Sequence, residues 1–307
     1  MAEIILHHYE FSPFSEKVRL AFGLKGLPWR SVLVPVWMPK PDLTPLTGGY
    51  RRAPVMQIGA DLYCDTQLIL RVLDRLHPAP SLFPAGAQGF AQALSFWWES
   101  NTFVTAARTL GAMIGDKLPP ELVEDRKSFL GFDMGQAAMA PGLPLNVARL
   151  RAHFHWLERM FSDGRPFVLG AEASAADLSA YHIIWLLRRN LGAEIDALVP
   201  FARLHDWYER VGAIGHGSPR PMEATGALDV AAGAEPAPPG FDPEDGEAFG
   251  LLPGRRVSVT PDDTGRDPVE GTLVAAGAEE IVLRRSDPRV GEVNVHFPRA
   301  GYDAAPV

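Results

Sequence analysis

The chain has 307 residues, 47% hydrophobic and 21% charged, a composition suited to about two globular domains with a real core. Its 29 Lys and Arg against 37 Asp and Glu leave a net charge of −8, which argues against broad nucleic-acid binding and against docking on an anionic membrane. One cysteine, Cys64, excludes an internal disulfide and a Cys-rich zinc site, and the lack of a signal-like leader or spanning stretch points to a cytoplasmic location.

The first 77 residues alternate strand and helix signals. Ile4, Ile5 and Leu6 predict a strand, and Ser12-Pro13 opens a helix, Ser as N-cap and Pro at the first helical position, that ends at Gly26. Trp29 to Val36 reads as a second strand. Ala53 to Ile58 and Leu62 to Cys64 read as a hairpin turning at Gly59-Ala60-Asp61. Asp65-Thr66 starts another helix, whose Leu68, Ile69, Val72, Leu73 and Leu76 share one face.

After a Pro-rich hinge at 77–84 the pattern becomes helical over residues 88–225. Phe90, Leu94, Trp97 and Trp98 form one apolar stripe there and Leu150, Phe154, Leu157 and Phe161 a second; Ser174 with Asp177 reads as a capping box, and Val199 to Val211 as a further helix. Residues 226–250, rich in Ala, Gly, Pro and acid, read as an extended linker. Short strands follow at Arg256 to Thr260, Val269 to Val274, Ile281 to Leu283 and Val293 to Phe297. The fold class is therefore α+β multidomain: an α/β domain over 1–77, an all-helical domain over 88–225 and a small all-β domain over 251–307. A unit as small as the last is expected to dock, on the helical domain or on a second subunit.

Three strand–helix junctions gather polar groups. Ser12 at a helix N-terminus lies beside free N–H groups and the positive end of the dipole, an environment that favours an anion; an ordinary N-cap has the same residue. Asp65-Thr66, again a helix start or a plain cap, suits an α-amino-acid end, with N–H groups for its carboxylate and Asp65 for its ammonium. Arg51-Arg52-Ala53-Pro54 enters a strand, where a cis peptide would leave the Ala53 backbone free to pair with a ligand; a solvated Arg pair before an edge proline is the plainer account.

Tyr9-Glu-Phe-Ser-Pro-Phe-Ser-Glu-Lys-Val-Arg19, then Arg52-Ala-Pro-Val55, then Asp65-Thr66, then Ser174-x-x-Asp177 resembles the soluble glutathione transferases over about residues 4 to 215. The resemblance implies a thioredoxin-like first domain, an active site between it and the helical domain, glutathione as cosubstrate, an apolar electrophile as second substrate, and a homodimer. The nine His residues form no ligand pattern, so no metal is expected. Ser12 matches the catalytic position of the serine- and cysteine-type classes, Pro54 the cis-proline, and Ala53 the residue whose backbone pairs with the cysteinyl part of glutathione. Asp65 and Thr66 match the holders of the γ-glutamyl end; Arg52, and more weakly Lys40, match a partner for the glycyl carboxylate. Tyr9 competes with Ser12 but stands one residue from the tyrosine position of other classes, and Ser15 falls on the third helical position, facing its own turn. Ala53 and the Asp65-Thr66 pair are conservative departures, and the β-rich tail lies outside the two-domain plan. The function implied is a transferase that activates the glutathione thiolate; the alternatives are a glutathione-binding interaction module, or a thiol or peroxide reductase, which would need cysteine where Ser12 stands.

Overall fold

The computed structural model of the chain describes residues 3–199, 201–241 and 251–307. In chain order the elements are β1 (Ile4–His8), α1 (Pro13–Leu24), β2 (Pro28–Leu33), α2 (Leu43–Thr47), β3 (Val55–Ile58), β4 (Asp61–Cys64) and α3 (Thr66–Leu76). Helices α4 (Gln88–Ile114), α5 (Pro120–Leu130), α6 (Gln136–Met139), α7 (Leu143–Met160), α8 (Ala175–Leu191), α9 (Ala193–Leu198) and α10 (His205–Gly212) follow. The chain then gives β5 (Ser218–Pro221), α11 (Ala224–Ala232), β6 (Arg256–Pro261), β7 (Val269–Ala276), β8 (Glu280–Asp287), β9 (Gly291–Pro298) and β10 (Tyr302–Pro306). They form two compact units: residues 1–10, 28–69 and 218–307 in the first, 11–27 and 70–217 in the second.

The first unit is built on one ten-stranded sheet in the order β10-β6-β7-β8-β9-β4-β3-β1-β2-β5. The hairpin read from the sequence is present, with Val55 opposite Cys64 and Ile58 opposite Asp61. Strand β4 would be an open edge, a liability for a buried strand. Strand β9 covers that edge in parallel, with Asp61 opposite Asn294, Leu62 opposite Val295 and Tyr63 opposite His296. The C-terminal strands thus extend the N-terminal sheet. Docking was the right expectation, but the surface is a strand edge of the first segment instead of the helical domain or a second subunit.

A single apolar cluster fills this unit. It joins Leu43, Leu46, Val55 and Leu62 from the first segment to Val257, Leu283, Val295 and Phe297 from the last. The stretch expected to be an extended linker begins inside α11, whose buried Leu228 and Ala231 belong to the same cluster. Alanine is the best helix former, and this Ala-rich run uses it before the prolines begin at Pro236. Residues 242–250 of the expected linker lie outside the described residues. Strand β5, inside the segment expected to be all helical, pairs with β2 in parallel, and a fifth C-terminal strand, β10, closes the far side on β6.

A seam of buried polar groups ties β9 to β4. His296 sits between Glu280 (Nδ1 to Oε1, 2.6 Å) and Asp61 (Nε2 to Oδ1, 2.9 Å), and Asp61 also accepts from the Ala237 amide (2.9 Å) and from Asn294 (3.2 Å). Burial opposes the imidazolium, but the two carboxylates outweigh it and raise the His296 pKa.

In the second unit α4 packs on α7 and α8, and α1 packs on α8. The capping box is present: the Ser174 amide donates to Asp177 (3.0 Å), which also takes the Val168 amide (2.8 Å) and Trp207 Nε1 (2.9 Å). The helix expected from Val199 begins at His205 as α10; Pro200 lies outside the described residues.

Candidate functional site

Ser12 caps α1 with extended backbone (φ −74°, ψ 122°), and Pro13 is the first helical residue, as the dipeptide requires. The buried Ser12 Oγ accepts from the Ser15 amide at 3.1 Å. A hydroxyl that accepts in this way keeps its own proton to donate, and the bond from a helix N–H makes it a better donor. Ser15 is fully buried and its Oγ has no hydrogen-bond partner among the described residues, so it does not bond back to its own turn as expected.

Around the first turns of α1 the second unit is rich in buried ions. Lys17 pairs with Glu99 (2.5 Å), and Glu16 accepts from Arg19 (2.7 Å) and lies 3.1 Å from His216 Nε2. Burial raises the Glu16 pKa, but His216 and Arg19 together hold it below the ordinary glutamate value. The Phe14 ring lies 4.9 Å from His182, whose pKa burial and the nearby Lys17 lower to about 3, so that imidazole is neutral.

The other candidates belong to the first unit. The Ala53–Pro54 peptide bond is cis, as the resemblance implies for Pro54. Asp65 stands before α3 in the left-handed region (φ 72°), which short polar side chains such as aspartate visit because they can bond locally. It does so here: Oδ1 accepts from the Gln67 amide at 2.9 Å, and the Asp65 carbonyl takes the Ile69 amide. Thr66 is buried beside it. Arg52 reaches the same carboxylate, Nη1 to Oδ2 at 4.0 Å, so the structure brings these two candidates together. Lys40 is buried with its ammonium over the half-buried Tyr9 ring, 5.8 Å from the centroid. Burial and the Asp65 charge push the Cys64 thiol up, which leaves it without thiolate character.

Sequence reasoning missed the groups that complete this cluster. Tyr302 of β10 donates to Asp65 Oδ2 (3.1 Å) and shares a 2.7 Å hydrogen bond with Tyr50. Arg52 Nη2 donates to the Asp263 carboxylate and the Thr264 carbonyl, and its guanidinium lies 5.8 Å from the Tyr302 ring centroid. Burial works against the charge, yet the anionic groups around Arg52 raise its pKa further. These contacts join positions more than 200 residues apart, and no local pattern signals them.

Residues 6–81 match the glutathione S-transferase N-terminal domain and residues 136–210 the C-terminal domain of the same family. A GST-like protein from Pseudomonas syringae is 37% identical over 100% of both chains, with a TM-score of 0.80. The chain belongs to the glutathione S-transferase family. FtsZ-localized protein A of Caulobacter vibrioides is 25% identical over 182 residues, 58% of this chain and 74% of that protein. The glutathione S-transferase of Ceriporiopsis subvermispora, solved in complex with glutathione, shares the fold at 19% identity, with a TM-score of 0.53 over 70% of this chain and 98% of that one. Because the Pseudomonas syringae protein matches over its full length, the likeness takes in the C-terminal strands as well as the two family domains. Among the described residues no helix is long and apolar enough to cross a membrane.

Proposed function

We propose that this chain is a glutathione transferase in which Ser12 activates the glutathione sulfur. The observation that carries this reading is the buried Ser12 hydroxyl at the N-terminus of α1, which accepts from the Ser15 amide and retains its own proton as a donor. Glutathione supplies the nucleophile, a thiol whose pKa is ordinarily about 8.5. A hydroxyl donor and the positive end of a helix both favour its thiolate at neutral pH. The second substrate is an apolar electrophile. Asp65 and Thr66 hold the γ-glutamyl end and the Ala53 backbone pairs with the cysteinyl part. Lys40 and Arg52 are the cations for the glycyl end, and Arg52 is already engaged. The family plan adds a homodimer, and the sequence reading a cytoplasmic location. Ser12 cannot form a mixed disulfide, and with Cys64 buried that leaves the reductase reading without a thiol.

A second reading, a glutathione-binding interaction module without turnover, draws support from one observation: Tyr302, Asp263 and Thr264 engage the groups that would anchor glutathione. Conjugation assays over a broad panel of electrophiles, paired with calorimetric titration of glutathione, separate the two. Ser12→Ala is expected to slow conjugation about ten- to a thousand-fold with glutathione affinity within a few-fold, since the lost bond acts mainly on the thiolate. Unchanged turnover promotes Tyr9 in its place, and binding without turnover in the unsubstituted protein favours the module.

A further inference from the structure

Arg52 already holds a carboxylate of its own chain. Its Nη2 serves both the Asp263 carboxylate and the Thr264 carbonyl, its Nη1 faces Asp65, and its Nε is buried with no partner among the described residues. Next to it Arg51 pairs with Asp267 at 3.3 Å, from the same β6–β7 loop. That loop is itself held: the Asp262 amide donates to the Gly301 carbonyl (3.0 Å), and Arg266 bridges the Asp262 carbonyl (3.2 Å) and Asp303 (3.3 Å). A ligand carboxylate brought to Arg52 must displace Asp263 or sit beside it, and like charges at that range repel. A neutral or cationic group meets neither cost, and a cation gains from Asp263, whose side chain is 58% exposed.

Resting on the glutathione-binding reading above, we propose that Asp263, through its hold on Arg52, makes the site selective for γ-glutamyl-cysteinyl thiols whose far end is neutral or cationic, an amide or an amine conjugate, over the free glycyl carboxylate. Asp263 is then a specificity-determining residue supplied by the C-terminal strands.

The test is calorimetric titration of the full-length protein with two probes, reduced glutathione and glutathione amidated at its glycyl carboxylate, repeated on Asp263→Asn. The amide is expected to bind about three- to tenfold more tightly than glutathione, the range set by a partly exposed charge, and Asp263→Asn is expected to abolish or reverse that preference. Equal or tighter binding of glutathione in the unsubstituted protein overturns the proposal, and would assign the glycyl carboxylate to Lys40. A preference that survives unchanged in Asp263→Asn overturns it too. Failure of both probes to bind rejects the glutathione-binding reading itself, and the selectivity with it.

Discussion

At the N-terminus of α1 the cap is closed within four residues: Ser12 takes the Ser15 amide, and its own hydroxyl proton has no acceptor among the described residues. At the start of α3, Asp65 takes the Gln67 amide in the same local way, but its second oxygen goes to Tyr302, 237 positions along the chain. Arg52 is bound by Asp263 and Thr264, again from the C-terminal strands. Among the described residues one helix terminus keeps an unspent donor, while the polar capacity at the other is shared with the C-terminal strands. The cap at Ser12 thus follows from a tetrapeptide, and the setting of Asp65 and Arg52 from a sheet that spans the chain from β1 to β10.

Ending the chain before Leu251 breaks the α3 side most severely. Leu43, Leu46, Val55 and Leu62 share one core with Val257, Leu283, Val295 and Phe297. Each large apolar side chain is worth about 1.5–3 kcal/mol when buried, against a typical total stability of about 5–15 kcal/mol. The truncated protein is expected to lose its cooperative melt and its solubility. A truncated form that melts at the full-length temperature would mean that the last strands add nothing to the first unit.

A smaller effect comes from the seam. His296 has its pKa raised from 6.5 by Asp61 and Glu280 in spite of burial, so its stabilising contribution is complete below about pH 6.5, where the unfolded histidine is also protonated, and is lost as pH rises through the higher folded value. His296→Gln is expected to cost about 3–5 kcal/mol at about pH 5.5 and distinctly less at about pH 9, measured by denaturant unfolding. An equal cost at both pH values would show that the folded His296 pKa is not raised. His182 in the second unit runs the other way: its pKa of about 3 makes it a source of stability lost as pH falls from about 6.5 toward 3.

What was legible in the sequence is what lies within a few residues of its cause. Ser12-Pro13 gives α1, Gly59-Ala60-Asp61 turns β3 into β4, Asp65 starts α3, and Ser174 and Asp177 cap α8, whereas the cis bond before Pro54 came from the resemblance and not from its neighbours. Strands β6 to β9 were legible as strands, but their place was not, because a parallel pair such as β4 and β9 has no turn to announce it. Helix α11 was hidden by composition, its Ala-rich run reading as linker. Tyr302 and Asp263 left no mark at all: a tyrosine and an aspartate near strand ends are ordinary until the sheet brings them to Asp65 and Arg52.

The account's central claim is that the C-terminal strands belong to the N-terminal sheet and there complete the setting of Asp65 and Arg52. Native-state amide hydrogen exchange tests it most directly. The amides of β3 and β4 and those of β8 and β9 are predicted to share one slow opening, with the same free energy and denaturant dependence, because β4 and β9 are neighbours in one sheet over one core. Exchange of residues 251–307 in a separate, faster opening, with β3 and β4 still protected, would contradict it.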